Sequence, residues 1–561
     1  MNAENPVPVE GKTIPQVLLE TATRCAEQDA LVFPQLHLRM SWAEFEQATY
    51  EAAKGLLALG IGKGDHVAIW ATNVPQWVVL QFATARIGAV LVTVNPAYRA
   101  HELQYALKQS DSVALFLIDR FKSSDYFGML NQVCPELKHA VPGELQSGEF
   151  PKLRWVVSLK GDTPPGTISW SEMLDRGRTV DRADLEEAQA RLRPEEAINI
   201  QYTSGTTGFP KAATLSHRNL LLNAYYVGQC QKLSSQDRIC IPVPFYHCFG
   251  CVLGTLCAVV YGSAMVVPAE YFDPQATLDA IQKERCTVLY GVPTMFIAQL
   301  EHPSFAGRDL SSLRTGIMAG SPCPIELMKK VVHQMGVREI TIAYGQTEAS
   351  PVITQTRTDD PLQLRVETVG RPLPGVEVKI IDPQTKATLG DNQQGELCAR
   401  GHVVMLGYYK NPEATAQAID SEGWLHTGDL AVRLPNGYYK ITGRIKEMVI
   451  RGGENIYPRE IEEFLFTHPA VEQVAVLGVP DPKYGEELCA WIKLRSDAPE
   501  AQGLTEEDIR QFCREKLAHF KVPRYIRFVE EFPQTVTGKI QKFRIREIMM
   551  EELGLQEEKT A

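Results

Sequence analysis

The stretch YTSGTTGFPKAA, Tyr202 to Ala213, sets Thr203, Ser204, Thr206 and Thr207 around Gly205 and Gly208, then adds Phe209, Pro210 and Lys211. Glycines free backbone N–H groups, the hydroxyls add donors and the lysine adds charge, so the loop can wrap phosphate oxygens. A surface turn rich in Ser, Thr and Gly has the same composition, and the loop alone leaves both readings open. A Walker A loop is excluded, because it needs G-x-x-x-x-G-K-[ST] and Pro210 stands five positions after Gly205. Of the twelve cysteines, only Cys248 and Cys251 form a C-x-x-C, inside the apolar run HCFGCVLGTLCAVV. A structural zinc site would need a second pair. Buried reduced thiols in a reducing compartment are the better reading, with a redox pair as the alternative.

The elements that must position such a loop are legible from the pattern. The chain has 561 residues, enough for several domains or subdomains, and is 44% hydrophobic and 22% charged. A net charge of −11 argues against a nucleic-acid binder held by backbone phosphates. The N-terminus MNAENPVPVEGKTIPQVL shows no secretory signal, and the longest apolar run, Cys248 to Val260, is shorter than the about 20 residues of a membrane span. A cytoplasmic protein without a transmembrane segment is expected, with peripheral membrane contact open. Short apolar runs such as HVAIW (66–70), AVLVTV (89–94), VALFLI (113–118), RWVVSL (154–159), AMVV (264–267) and TVLYGV (287–292) alternate with helical patterns such as Trp42–Gly60. That alternation predicts α/β architecture with largely parallel sheets. From about residue 366 to 443, short strands with Gly, Pro and Asn436–Gly437 turns predict a small β-rich subdomain. Beyond Gly443 the segments 458–469, 471–479, 487–494 and EEDIRQFCREKL predict a compact α+β unit. The expected division is 1–443 and 444–561, with the hinge at 444–446.

YTSGTTGFPK resembles the phosphate-loop signature of the acyl-adenylate-forming superfamily, which holds acyl-CoA synthetases, insect luciferases and peptide-synthetase adenylation domains. Further motifs follow in that superfamily's order: PFYHCFG (244–250), AGSP (319–322), AYGQTE (343–348), LHTGDL (425–430), GRIKEMVIRGGENIYPREIEE (443–463) and TVTGKI (535–540). The resemblance covers nearly the whole chain, and VNPAYRAHEL (94–103) is similar to the acyl-CoA synthetase branch. It implies a large N-terminal domain of two α/β subdomains plus a β-rich one, followed by a smaller mobile α+β domain. It implies two half-reactions: a carboxylate attacks the α-phosphate of ATP to give acyl-AMP and pyrophosphate, then the thiol of coenzyme A displaces AMP.

The resemblance also assigns residues. Thr203 to Gly208 and Lys211 hold the β- and γ-phosphates. Gly320, Ser321 and Pro322 lie along one adenine face and Tyr344 stacks on the other; Gly345, Gln346 and Thr347 line the nucleotide, with the Thr347 hydroxyl on the α-phosphate. Glu348 is the Mg²⁺ ligand, Asp429 accepts from both ribose hydroxyls, and Arg444 adds a ribose and phosphate contact. Lys539 is the main catalyst, its ammonium bridging carboxylate and α-phosphate, although from composition alone it is one more cation of a basic tail with Lys542, Arg544 and Arg546. His247 gates the carboxylate and thiol path; a satisfied core histidine is the competing reading. Lys446 is the hinge, and Gly452, Gly453 and Glu454 line the channel for the CoA arm after the C-terminal domain rotates. Gly250, Gly254 and Ala258 at i, i+4 and i+8 form a small-residue helix stripe, which either opens an alkyl tunnel or packs the helix onto a sheet. PFYHCFG offers no acidic partner for an amino group, and Cys248 stands where a luciferase-like pocket carries a second histidine. Medium- or long-chain fatty acids are the expected substrates. Aryl or branched acids, a stand-alone enzyme loading a carrier protein, and a catalytically retired nucleotide binder are the alternatives. Monomer and homodimer stay open.

Overall fold

The computed structural model describes residues 7–203, 210–321, 323–452, 454–496, 498–514, 516–535 and 538–555. Ser204–Gly208, Pro322 and Gly453, all expected in the site, lie outside the described residues. No helix among the described residues is long and apolar enough to cross a membrane.

Two large sheets dominate. In the first, the strands Glu339–Gly345, Thr315–Met318, Val288–Gly291, Arg238–Cys240, Ala264–Val266 and Asp29–Phe33 run parallel in that order, with antiparallel strands added at both edges. In the second, Ala197–Thr203, Val90–Val94, His66–Trp70, Ala114–Leu117 and Trp155–Ser158 are parallel neighbours. All six apolar runs read as strands above are strands here. Val90–Val94 is buried along its whole length, as continuous β-branched runs are when both faces of a parallel sheet are covered. The helix Trp42–Ala58 starts at Ser41, whose side chain accepts from the Glu44 N–H while Glu44 reaches back.

The helices Pro75–Ile87 and His217–Cys230 and the segment Phe249–Tyr261 are buried on nearly all sides. The last of these touches both sheets. Cys251 receives a hydrogen bond from Gln201 of the second sheet, and Gly254 lies against Ile241, which follows a strand of the first. The segment opens as a π-helix over Phe249–Leu256 and continues as an α-helix over Cys257–Tyr261. The wider π turn breaks the i, i+4, i+8 register, so Gly250, Gly254 and Ala258 do not form the straight stripe expected from α geometry. The glycines serve close packing. A Cβ on Gly250 would collide with the Pro244 carbonyl, and one on Gly254 would sit 3.0 Å from an Ile241 methyl.

The strands Val376–Ile381, Gln394–Gly401, Leu425–Arg433 and Tyr439–Arg444 form an antiparallel sheet in chain order. The last two join through Asn436–Gly437, with Gly437 at φ +80°. One continuous core runs from Val9 to Ile441. A separate core begins at Val449. It lies on one face of the sheet built on Val471–Asp481 and Gly485–Leu494; Val474 and Val476 point into it. Ala475 and Leu477 point to the other face, against the terminal helix Lys542–Leu553. This is the period-two alternation of a sheet covered on both sides.

Gly250→Ala should therefore destabilise the protein by about 1–3 kcal/mol, the cost of overpacking a filled site. Thermal unfolding checks this; an unchanged Tm would mean that the segment has room to spare and restore the tunnel reading.

Candidate active site

The candidate residues gather at the carboxyl ends of the parallel strands, where open α/β sheets bind their ligands. Val288–Gly291 leads to Val292 and Thr294, Thr315–Met318 to Gly320 and Ser321, and Glu339–Gly345 to Gln346, Thr347 and Glu348. The second sheet contributes Thr203 at the end of Ala197–Thr203. Thr203 pairs with Lys211 between antiparallel strands, so the described residues on either side of the Ser/Thr/Gly stretch belong to strands.

The Asp429 carboxylate is buried and engaged through both oxygens. Arg444 Nε donates to Oδ1 at 2.9 Å and the Tyr344 hydroxyl donates to Oδ2 at 2.8 Å. Asp429 raises the pKa of Arg444 above its usual value, and burial followed by the Asp429 charge raises that of Tyr344. Each carboxylate oxygen has a second lone pair, so ribose hydroxyls can join these donors. The loop bearing Asp429 is shaped from beneath. The Glu396 Oε1 accepts from the Gly428 N–H at 3.2 Å, and Thr427 donates its hydroxyl to the Leu397 carbonyl at 2.6 Å. His426 Nδ1 lies 3.2 Å from Glu396 Oε2 and 3.5 Å from Cys398 Sγ. This His/Cys/Glu group satisfies itself by hydrogen bonding within the sheet, and burial pushes the Cys398 thiol up to about 12.

Glu348 follows a strand into a short 3₁₀ turn, Thr347–Ala349. Its Oε1 accepts from Tyr408 at 2.7 Å and Thr203 at 3.2 Å. Lys211 Nζ sits 5.0 Å over the Tyr408 ring, a cation–π contact that holds the lysine beside this carboxylate. Tyr408 was not apparent from sequence, because GYYKNP has no spacing or composition that marks chemistry. Thr347 is buried. The Cys248 thiol donates to Gln201 Oε1 at 2.9 Å, and burial raises its pKa well above the usual thiol range. It is an inert core thiol in contact with the site. All twelve cysteines are buried and unpaired.

Lys539 is brought into this cluster from the far end of the chain. A Cβ on Gly320 would lie 3.9 Å from the Lys539 Cε. Gly320 itself has φ +92°, open to glycine at no cost. The Lys539 turn is closed by Thr535, which donates its N–H to the Lys539 carbonyl at 2.8 Å and accepts the Lys539 N–H on Oγ1 at 3.0 Å. Gly538, at φ +78°, abuts Thr294 of the N-terminal region, whose hydroxyl donates to the Gly538 carbonyl at 3.4 Å. Burial and the Arg444 charge push the Lys539 ammonium down to about 8, against the pull of Asp429, Glu348 and Glu447. His247 accepts the Phe249 N–H on Nδ1 at 3.3 Å; burial, helped by the Lys539 charge, pushes it down to about 3. The imidazole is thus neutral near pH 7 and close enough to Lys539 to feel its charge.

Two expected groups stand apart. Gly452 and Glu454 are exposed on the hairpin Val449–Arg451/Glu454–Ile456, where the Gly452 N–H donates to the Tyr484 carbonyl. They do not join the cluster around Lys539. Lys446 is the exposed residue of the 3₁₀ turn Ile445–Glu447 between the two cores.

The chain matches the AMP-binding enzyme family over residues 18–409 and the AMP-binding enzyme C-terminal domain over residues 460–539. It is 53% identical to the acyl-CoA synthetase homologue YngI of Bacillus subtilis (strain 168), over 97% of this chain and 98% of that protein. It is 43% identical to the mitochondrial medium-chain acyl-CoA ligase ACSF2 of Homo sapiens, over 98% and 89% of the two chains. Among solved structures, ATP-bound MatB from Rhodopseudomonas palustris superposes with a TM-score of 0.81 at 26% identity, covering 97% of this chain and 100% of that one. With the site assembled from these motifs and the likeness spanning both parts of the chain, the protein belongs to the AMP-binding enzyme family, in its acyl-CoA synthetase branch, and is an AMP-forming acid–thiol ligase.

Proposed function

We propose that the protein activates medium-chain fatty acids as acyl-AMP and transfers them to coenzyme A. The observation that carries this is the juxtaposition of Lys539 with Gly320, Asp429, Glu348 and His247 in one cleft. A carboxylate attacking a triphosphate brings an anion onto a polyanion. Catalysis then needs cations and oriented donors where charge develops, and Lys539, Arg444 and Lys211 supply the cations. Lys539 bridges the attacking carboxylate and the α-phosphate, with Thr347 as a second donor. Asp429 orients the ribose, and Tyr344 and the Gly320–Ser321 strip flank the base. Neutral His247 walls the acid's path without adding a charge that would hold the carboxylate back.

Glu348 fits Mg²⁺. It is a half-buried carboxylate with neighbouring hydroxyls, beside the strand that leads into the phosphate loop, and Mg²⁺ takes one or two carboxylates plus phosphate oxygens and waters. Bound there, the ion would neutralise phosphate charge. Lys211 and Thr203 would hold the outer phosphates on the same side.

The medium-chain substrate is supported by the ACSF2 relatives, named as medium-chain acyl-CoA ligases at 40–44% identity. The anthranilate CoA ligase AuaEII shares the fold at a TM-score of 0.83 and 26% identity, which keeps aryl acids as the second reading. We assign residues 444–561 as a mobile domain turning about 444–446, so that Gly452–Glu454 replaces Lys539 at the site for the thiol step. The break between the core ending at Ile441 and the one starting at Val449 supports this division. Twelve unpaired cysteines fit a cytoplasmic enzyme.

AMP release with ATP, Mg²⁺ and CoA should peak at medium alkyl chains across a panel from acetate through long-chain acids to benzoates; a peak at benzoates would overturn the substrate. Lys539→Ala should lower ATP–pyrophosphate exchange by about 10²–10³-fold while ATP still binds, as removal of one transition-state donor does. Adenylation needs the Lys539 ammonium, and its pKa is lowered to about 8, so kcat/KM for adenylation should fall as pH rises through about 8. In Lys539→Arg the guanidinium stays charged, and the residual activity should lose that limb; an unchanged limb would assign it to another group. Lys446→Pro should leave exchange within several-fold of normal and depress CoA-dependent product formation by about tenfold or more, since proline fixes one hinge angle. Equal retention of both would remove the hinge.

A further inference from the structure

Lys539 is useful only if the turn carrying it is held at a defined place relative to the hinge. The helix Lys542–Leu553 begins three residues after it. Its first side chain, Lys542, lies between two carboxylates, with Nζ 2.8 Å from Glu462 Oε1 and 3.2 Å from Glu447 Oε2. Glu462 is a buried residue of the helix Pro458–Leu465, and its Oε1 also accepts the Val476 N–H at 2.8 Å. Glu447 closes the hinge turn Ile445–Glu447. Its Oε1 faces Arg444 Nη1 at 3.8 Å, and Arg444 in turn donates to Asp429. A continuous polar chain thus runs Tyr344–Asp429–Arg444–Glu447–Lys542–Glu462, from the nucleotide cleft through the hinge into the C-terminal core.

We propose that Lys542 is a positioning residue for Lys539: by joining Glu447 of the hinge turn to Glu462 of the C-terminal core, it fixes where the Lys539 turn stands when the hinge is in the adenylation orientation. The inference rests on the assignment of Lys539 above. The pairing is ionic. Burial works against the Lys542 charge, yet Glu462 and Glu447 outweigh it and raise the pKa; burial likewise opposes the Glu447 charge, and Lys542 and Arg444 outweigh that. Lys542 and Glu447 are half-buried and Glu462 is buried, so losing the lysine leaves the Glu462 carboxylate uncompensated away from solvent. The geometry is also directional. Glu462 and Val476 belong to the C-terminal core, whereas Glu447 belongs to the turn that must twist, so Lys542 ties a rigid part to the moving joint. A reacting group displaced by about 1 Å loses about 10²-fold in rate, which is the scale on which such an anchor acts.

The experiment uses the full-length enzyme and three variants, Lys542→Met, Lys542→Arg and Glu447→Gln. ATP–pyrophosphate exchange with octanoic acid reports adenylation, and octanoyl-AMP supplied with CoA reports thioester formation alone. Lys542→Met should lower the exchange kcat by about 10²-fold, with KM for ATP within about twofold of normal. Thioester formation from octanoyl-AMP should stay within about threefold, and Lys542→Arg should recover most of the exchange. Glu447→Gln should show the same one-sided loss in smaller degree, and it decides the matter if Lys542→Met does not fold. An even loss of both half-reactions, an undisturbed exchange, or an arginine variant as impaired as the methionine one overturns the proposal. Normal wild-type exchange with even losses in the variants overturns it alone; absent wild-type exchange with every acid overturns the function and the proposal together.

Discussion

The Asp429 carboxylate is where the architecture converges. Tyr344, which reaches Oδ2, ends a strand of the nine-stranded sheet; Asp429 stands on the four-stranded sheet; and Arg444, which reaches Oδ1, is the last residue before the hinge turn. A buried carboxylate left unpaired would be costly, so the two donors hold three separate elements at one point. Both donors are themselves expected to meet the nucleotide. Binding ATP therefore rearranges or extends an existing hydrogen-bond set and does not order a loose one. The Glu396–Gly428 and Thr427–Leu397 bonds beneath keep the Asp429 loop in place while that happens.

The balance of charge follows from the same constraint. The chain carries net −11, yet Lys211, Arg444 and Lys539 are concentrated around the cleft. Burial first, and then the neighbouring Arg444 charge, depress the Lys539 ammonium. Glu348, Asp429 and Glu447 compensate without touching every cation. The arrangement is poised for a polyanion: bound phosphates would offset the charge of the cations gathered there. His247, held neutral beside these groups, adds polarity without adding to the strain.

Much of this was legible in the sequence. The six apolar runs mark buried parallel strands, since β-branched residues in short runs have few other places to go, and Asn436–Gly437 marks its hairpin through the positive φ that only such turns need. The motifs marked Asp429, Arg444, Glu348 and Lys539. Less accessible was anything set by three-dimensional register. The Gly250/Gly254 stripe assumed α geometry, and the π turn that displaces it has no signature in residue type. Tyr408 reaches Glu348 from a strand pairing that joins residues far apart in sequence. Lys542 looked like one cation in a basic tail with Arg544 and Arg546, because charge patterning alone does not separate a solvated face from a buried pair. Its place between Glu447 and Glu462 appears only when helix, hinge turn and core are assembled.

Polar contacts tie the C-terminal unit both to itself and to the N-terminal region. Inside the C-terminal unit they are short: Lys542 to Glu462 at 2.8 Å and the Val476 N–H to Glu462 at 2.8 Å. At its border Thr294 meets the Gly538 carbonyl at 3.4 Å, and Arg444, the first residue past the boundary, holds Asp429 at 2.9 Å. A unit that is tight within itself can turn as one body, provided that its strong border contact, Arg444 to Asp429, lies at the joint, where a turn displaces it least. Population arithmetic makes the point quantitative. If the two orientations must both be visited in each cycle, the border can favour one by only a few kcal/mol, about the differential that a bound ligand can reverse. A long contact such as Thr294 to Gly538 stays inside that limit; a buried, fully paired bridge far from the joint would not. The strong Lys542–Glu462 pair therefore belongs on the moving side of the proposed hinge, where it can aim Lys539 without holding it in place through the proposed second half-reaction.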